Sequence, residues 1–475
     1  MPENSIQYAV KLWEEIQEYA SDSITDAGFS EKDNPDFLPE LHQKLKKDEM
    51  EYDELIHELA NNQMVIDFII KEIKSNGTDK YSEVYKQRAL HIIYVSQNKP
   101  LWDAFYNQRD IGFLSRPFSR PYKVSHVDYE PIGLLSNKDF NALWGYILAR
   151  PLPSDNILKS GWYPPYLLFS QHIGFNHWHE HLETIIKLQS ETIGKRQHLD
   201  WFLSDALGYL GDKKAISSLE KALAYHQNQK EISYIRLREP ASNLFMLNGI
   251  DDKYYLSDIA FKDDNNAELL AMYGGPDLLD TYINDCIGSY DLENNEYAAD
   301  SKASDFAGTV GSLGNPKVIP WLFKLLCNDN ERIRRAAHVA ILNFLPEDAQ
   351  EQEAWDMVEE MASSQADCKR LSDYWKTQEA VLQKHIPDKS KRYYGGELFD
   401  VAKIFKRDVY QVFDEPRFDV TGMVDQAIHF TGHHLPYNPY AYWHIQLEQI
   451  QAWIDWLDAN PFEAGRWILH GKYID

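Results

Sequence analysis

The sequence predicts an all-α protein in which pairs of short helices stack in a right-handed row. Two observations support this fold class. Between Val310 and Leu345, two helical patterns follow each other with almost no loop between them, and similar phrases recur upstream, beginning near Leu207, Leu247 and Leu270. Because each apolar face is too narrow to bury itself alone, we expect neighbouring pairs to cover one another.

The pair between Val310 and Leu345 has the clearest pattern. Apolar residues of its first helix recur at i, i+3, i+4 and i+7, at Ile319, Leu322, Phe323 and Leu326. Apolar residues also line one face of the second helix, at Ile333, Ala337, Ala340, Ile341 and Phe344. The polar stretch Asn328 to Glu331 supplies a tight turn and places carboxylates at the start of the second helix.

This pair resembles a HEAT repeat, the two-helix unit of armadillo-like α-solenoids. The resemblance is carried by Leu313-Gly314-Asn315, Asn328-Asp329, Ile333-Arg334 and Ala336-Ala337. It implies a solenoid whose second helices line a concave face where partners dock. On that face, the resemblance places Arg332, Arg335 and His338 as candidate partner-binding residues, while Arg334 is expected to bond to the inter-helix turn.

The chain divides into three predicted regions. Residues 1–130 are expected to form irregular helices, followed by HEAT-like repeats over 131–385. Residues 392–475 are rich in aromatic residues and histidine, and we expect them to form a helical cap. Within the first region, a proline-rich loop over 109–123 carries a small basic island, which either holds an anionic ligand or pairs with nearby carboxylates: Arg116, Arg120 and Lys123.

The composition is strongly acidic. The chain has 48 basic and 74 acidic residues, a net charge of −26 and a pI near 5.0. A field of this sign repels nucleic-acid phosphates and anionic membrane surfaces, and it favours solubility or a basic protein partner. We therefore predict neither nucleic-acid nor membrane binding, and the sequence leaves the oligomeric state open.

The cysteines and the N-terminal stretch bear on the compartment. Cys286, Cys327 and Cys368 are widely spaced and odd in number, a pattern typical of neither a disulfide framework nor a zinc site. The first twenty residues lack a basic segment followed by an apolar one, and no run approaches about 18 apolar residues. These features predict a cytoplasmic protein without a membrane span.

A histidine cluster over residues 172–181 is the strongest candidate for chemistry. On a continuous helix, His177 and His181 would share a face and could bind one metal ion. The metalloprotease pattern His-Glu-x-x-His is absent, so a partly exposed, histidine-rich helix start is the other interpretation. His429, His433, His434 and His444 form a second, less specific group. No dinucleotide fingerprint, P-loop or Gly-x-Ser-x-Gly motif occurs, and we predict no cofactor.

These observations predict a non-catalytic, protein-binding HEAT-repeat protein. An immunity or inhibitor protein that neutralises a basic partner, such as a toxin domain, fits the charge best. The alternative is a metal- or cofactor-dependent enzyme of the HEAT-repeat hydroxylase or lyase kind that uses the 172–181 histidines. A third hypothesis, acidic mimicry of DNA, requires carboxylates arrayed along one edge.

Overall fold

The computed structural model describes most of the chain. Described are residues 2–26, 37–75, 81–107, 130–150, 165–193, 199–228, 234–249, 314–327, 331–346, 349–350, 352–359, 365–412 and 420–473. The basic island at 109–123, Cys286 and the turn at 328–330 lie outside these residues.

The described residues are mostly helical, which confirms the all-α prediction at this level. The helices are α1 (Pro2–Asp26), α2 (Phe37–Ala60), α3 (Gln63–Ser75), α4 (Glu83–Val95), α5 (Lys99–Asn107), α6 (Glu130–Gly133), α7 (Asn137–Leu148), α8 (Pro165–Phe175), α9 (Leu182–Thr192), α10 (Leu199–Tyr209), α11 (Ile216–Gln227), α12 (Tyr234–Asn248), α13 (Ile319–Leu325), α14 (Glu331–Leu342), α15 (Gln352–Glu359), α16 (Gln365–Thr377), α17 (Glu379–His385), α18 (Val401–Val412), α19 (Thr421–Thr431) and α20 (Trp443–Ala459). Two short antiparallel hairpins join β1 (Tyr393–Tyr394) to β2 (Glu397–Leu398) and β3 (Ile468–Leu469) to β4 (Lys472–Tyr473).

The chain folds into two compact units that are interleaved along the sequence. The first unit comprises Met1–Tyr225, Lys406–Val424 and His434–Trp456, and the second comprises His226–Phe405, Asp425–His433 and Leu457–Asp475. The sequence predicted three consecutive regions instead. The difference arises because segments far apart in sequence pack together in each unit.

Helix α4 lies at the centre of the first unit. It packs against α1, α2, α5, α6 and α7, and every side chain from Tyr85 to Val95 is buried. Two of these buried side chains, Arg88 and His91, are ionisable and have no exposed surface. Burial of polar groups requires hydrogen bonds, so this helix brings a polar network into the core.

The helix pair that the sequence singled out forms as predicted in its described part. A 3-10 turn over Pro316–Val318, capped by the side chain of Asn315, leads into α13, and α13 packs against α14. Their apolar faces belong to one buried cluster of the second unit, with Leu322 and Ala337 fully buried. The pairing of two short helices is thus confirmed, whereas a solenoid of such pairs stays a prediction.

The C-terminal region differs in part from the predicted helical cap. Helices α18 to α20 are present, and the apolar residues Leu447, Ile450, Ile454 and Leu457 of α20 are buried. The hairpins add strands that the sequence did not indicate. Gly395 and Gly396 form the β1–β2 turn with positive φ, a conformation that glycine adopts without steric cost.

No helix within the described residues is both long enough and apolar enough to cross a membrane.

Candidate functional site

The predicted partner-binding residues of α14 have different environments. Arg335 is exposed, whereas His338 is fully buried. The Nε2–H group of His338 donates to the carbonyl of Ala354 at 2.8 Å, and its Nδ1 accepts from the indole of Trp375 at 2.9 Å. The prediction that His338 contacts a partner is therefore wrong, because Ala354 of α15 and Trp375 of α16 cover it. The side chain of Arg332 lies outside the described part of the structure.

The two predicted metal ligands do not lie on one helix. His177 has a φ of 51° and follows the end of α8, whereas His181 ends a separate 3-10 turn over His179–His181. His181 is packed near the rings of Phe140 and Trp144, and its Nε2 atom is buried. The shared-face argument for a metal therefore fails, because the helix is interrupted between the two residues.

No group of three or more His, Cys, Asp or Glu side chains within the described residues has an arrangement that could hold a metal ion. Two members of the second histidine group have different neighbours. His444 bonds to Glu49 in the first unit, while the His429 ring lies 5.2 Å from that of Phe245 in the second.

An ionisable network that the sequence analysis missed lies along one side of α2. Glu49, Asp53 and His57 follow one another at intervals of four residues, so they share a helix face. Glu49 is fully buried, and Asp53 and His57 are partly exposed. The four-residue spacing was visible in the sequence, but the partners of these side chains lie up to 395 residues away.

His57 lies between two aspartates. Its Nδ1–H donates to the main-chain carbonyl of Asp53 at 2.9 Å, and its Nε2–H donates to Asp139 Oδ2 at 3.2 Å. Asp139 also accepts from Ser136, whose hydroxyl caps α7, and from the amide of Gln97. With both ring nitrogens donating, His57 is an imidazolium that joins α2 to the start of α7.

The electrostatics of this network agree with its geometry. Hydrogen bonds to Asp139 and Asp53 raise the pKa of His57 to about 10. Burial alone would raise the pKa of Asp139, but hydrogen bonds from His57, Ser136 and Gln97 hold that pKa at about 2. Each partner therefore stabilises the charged form of the other.

A second branch of the network reaches α4. The guanidinium of Arg88 donates to the hydroxyl of Tyr52 at 3.1 Å, and that hydroxyl lies 3.3 Å from His91 Nδ1. Burial, followed by the charge of Arg88, lowers the pKa of His91 to about 3, so this ring is neutral. The guanidinium also lies 4.5 Å from the ring of Trp13, which adds a cation–π contact.

The chemistry available to the network is limited. A general base needs a free ring nitrogen and a pKa near the working pH. His57 has neither, since both of its nitrogens are engaged and its pKa is far above neutrality. We therefore interpret the cluster as a structural ion network that fixes helices of the first unit.

The cysteines also depart from the prediction. Cys327, after α13, and Cys368, in α16, form a disulfide with a Cα–Cα distance of 4.6 Å. The cysteine spacing did not indicate this bond, because the two residues are 41 positions apart and only the tertiary structure brings them together. Disulfides persist in oxidising environments, so the cysteine pattern no longer supports the predicted cytoplasmic location.

The outward faces of α1 and α2 are acidic. Helix α1 carries six acidic residues and one lysine, and α2 carries seven acidic residues and three lysines. Seven glutamates on these two packed helices are exposed: Glu3, Glu14, Glu15, Glu18, Glu51, Glu54 and Glu58. The negative charge of the chain is therefore concentrated on at least one continuous pair of helices.

Comparisons with protein-family models, with curated proteins and with solved structures found no match to this chain.

Proposed function

We propose that this chain is a non-catalytic protein that binds a basic protein partner. The observation that carries the proposal is the acidic outer surface of α1 and α2, where seven exposed glutamates lie on two neighbouring helices. Clustered charge of one sign speeds encounter with a partner of the opposite sign and helps to orient it. The net charge of −26 acts in the same direction over longer distances.

The arrangement of the titratable groups supports binding over catalysis. The partly exposed His57, whose pKa is raised to about 10, has both ring nitrogens engaged by Asp53 and Asp139. His177 and His181 lie on different elements, which removes the geometric basis of the metal-enzyme alternative. No specific observation in the described residues favours that alternative.

Three narrower statements belong to the same proposal. The helix pair α13–α14 is the unit from which a HEAT-like α-solenoid is built, and the likeness of its sequence supports that architecture. An immunity or inhibitor protein that neutralises a cationic toxin domain is the specific role we favour, since such a partner matches the charge. A cytoplasmic location is the third statement of the proposal.

A pull-down with the full chain as bait tests the function. We expect a cationic protein to be retained at about 50 mM salt and, more weakly, at about 150 mM salt, because screening shortens the range of the acidic field. The variant Glu14→Lys/Glu18→Lys/Glu54→Lys should lose most of this protein. These three side chains are exposed and belong to neither the ion network nor the core.

The matched control is Glu191→Lys/Glu379→Lys/Asp455→Lys, which changes the net charge equally but places the exposed changes on α9, α17 and α20. It should retain the partner. If the wild-type chain retains no cationic protein at either salt concentration, the proposed function is wrong. Equal losses in both variants would show that the overall charge, and not the surface of α1 and α2, controls binding.

A further inference from the structure

A seam of mixed apolar and acidic character runs between α1 and α2. On α1, one side presents residues at intervals of four, three and four, namely Tyr8, Leu12, Glu15 and Tyr19. On α2, one side presents residues at intervals of four, three, four and three, namely Lys44, Asp48, Glu51, Leu55 and Glu58. Residues at this spacing line a single face of a helix.

One direct contact joins the two stripes, and α1 and α2 pack against each other along their length. The Lys44 ammonium lies 3.1 Å from the centroid of the Tyr19 ring, so the stripes meet at this end. Below the seam, the rings of Trp13 and Tyr52 are 4.7 Å apart. Trp13 contacts Tyr52, whereas Tyr19, later in α1, contacts Lys44, earlier in α2. The two helices therefore run antiparallel.

The seam is accessible and not purely acidic. Tyr8 is 59 % exposed, which makes it one of the most exposed large apolar side chains of the described residues. Leu12 and Leu55 are partly exposed along the middle of the seam, where a packed core would bury them. The carboxylates of Glu15, Glu51 and Glu58 are exposed beside them. Apolar side chains with acidic neighbours are thus presented on one surface.

We propose that this seam is the docking site for an amphipathic, cationic helix of the basic partner. The inference rests on the proposed function and adds the place and form of the contact. A helix lying along a groove between two helices buries its apolar stripe against residues such as Leu12 and Leu55. Lysine or arginine side chains at the edges of that stripe then reach Glu15 and Glu58.

Charge decides between this occupant and two others. A second copy of the chain would carry the same net charge of −26, so like-charge repulsion opposes self-association through this face. Nucleic acid is repelled for the same reason. A cationic helix gains both from the apolar contact and from the neutralisation of the exposed glutamates.

Titration calorimetry with a synthetic helix of leucine and lysine tests the proposal. The peptide has about 18 residues, or about 27 Å of helix, with leucines on one face and lysines on the other. We expect Tyr8→Ser/Glu15→Lys/Glu58→Lys to weaken its binding by at least about tenfold, because an anchor and two charge partners are lost. A scrambled peptide of the same composition should bind the wild-type chain much more weakly.

The control variant is Met64→Ser/Glu191→Lys/Glu379→Lys, which also replaces one exposed apolar residue and reverses two exposed charges. Its affinity should stay within about twofold of the wild-type value, as expected for changes outside a contact. Thermal unfolding of both variants verifies that they are folded. Equal affinities of the seam and control variants, or equal binding of the scrambled peptide, would overturn the docking site.

Failure of the docking site can be distinguished from failure of the proposed function. If the pull-down retains a cationic protein on both the wild-type chain and the seam variant, the seam is wrong while basic-partner binding stands. If no cationic protein is retained by the wild-type chain, the function itself fails.

Discussion

The buried side chain of His338 has a packing role. His338 is fully buried between two hydrogen bonds that satisfy both of its nitrogens. Its sequence neighbour Arg335 is exposed, although both residues were predicted to face a partner. The two residues are three positions apart, so helical spacing places them only about 60° apart around α14. The helices that pack against α14, and not the spacing, decide that His338 is covered while Arg335 is not.

We expect His338→Ala to lower the free energy of unfolding by roughly 2–4 kcal/mol, through loss of packing and an unpaired indole N–H of Trp375. Arg335→Ala should stay within about 0.5 kcal/mol of the wild-type value, as is usual for exposed positions. Urea unfolding monitored by tryptophan fluorescence measures both. A partner-binding role for His338 would instead leave stability unchanged and weaken partner capture.

At the level of secondary structure, a single buried carboxylate, that of Glu49, fixes the start of α20. Glu49 of α2 accepts from the main-chain N–H groups of Trp443 and His444 at 2.7 and 3.0 Å, and from the His444 ring at 2.7 Å. A negative charge at this position also complements the helix dipole. One residue further back, the hydroxyl of Tyr442 donates to Asp53 at 2.9 Å, so α2 holds the chain before α20 at two points.

Replacement of this carboxylate should therefore loosen the first turn of α20. We expect Glu49→Ala to cost about 2–4 kcal/mol of stability, since charged hydrogen bonds are lost and two N–H groups remain unpaired. Hydrogen exchange should accelerate over 443–447. Glu448→Gln is the control, because Glu448 is half exposed in its contacts with His42 and Lys46, and such surface pairs contribute about 1 kcal/mol or less. Unchanged protection in Glu49→Ala would contradict the anchoring role.

The stability of the whole protein should depend on pH, because several buried histidines take up protons when the chain unfolds. Burial lowers the pKa of His91 and of His172 to about 3, and burial lowers that of His338 to about 4. In the unfolded chain these rings titrate near their ordinary pKa of about 6.5. Their contribution to stability is therefore complete above about pH 6.5 and is lost as the pH falls towards 3 or 4.

The melting temperature should accordingly fall between pH 6.5 and 4.5. His57 does not offset this fall, since its raised pKa makes its contribution disappear only as the pH rises towards 10. Asp139, whose pKa is lowered, adds its own loss only below about pH 4. Calorimetry across this range measures the slope, and His338→Gln, which cannot titrate, should reduce it. A flat or rising melting temperature would contradict the assignment of neutral buried rings.

The two units show why only part of the fold was predictable. Local spacing predicted helices α13 and α14, because the periodicity of apolar residues indicates which face of a helix is buried. The interleaving of the units arises from contacts such as Glu49 with His444, which are separated by 395 residues. Of the ion network, the sequence could show only that Glu49, Asp53 and His57 share a helix face. No feature of the sequence indicated which distant side chains bind them.

The sequence by itself determined the helical class, the helix pair at α13 and α14, and the acidic charge, since these depend on composition and on spacing within a few turns. Only the tertiary structure decided that His338 is covered, that Cys327 meets Cys368 and that His177 and His181 lie on separate elements. Each of these outcomes depends on where distant segments are placed. Local spacing limits which side chains share a face, but the neighbouring helices determine which faces remain accessible.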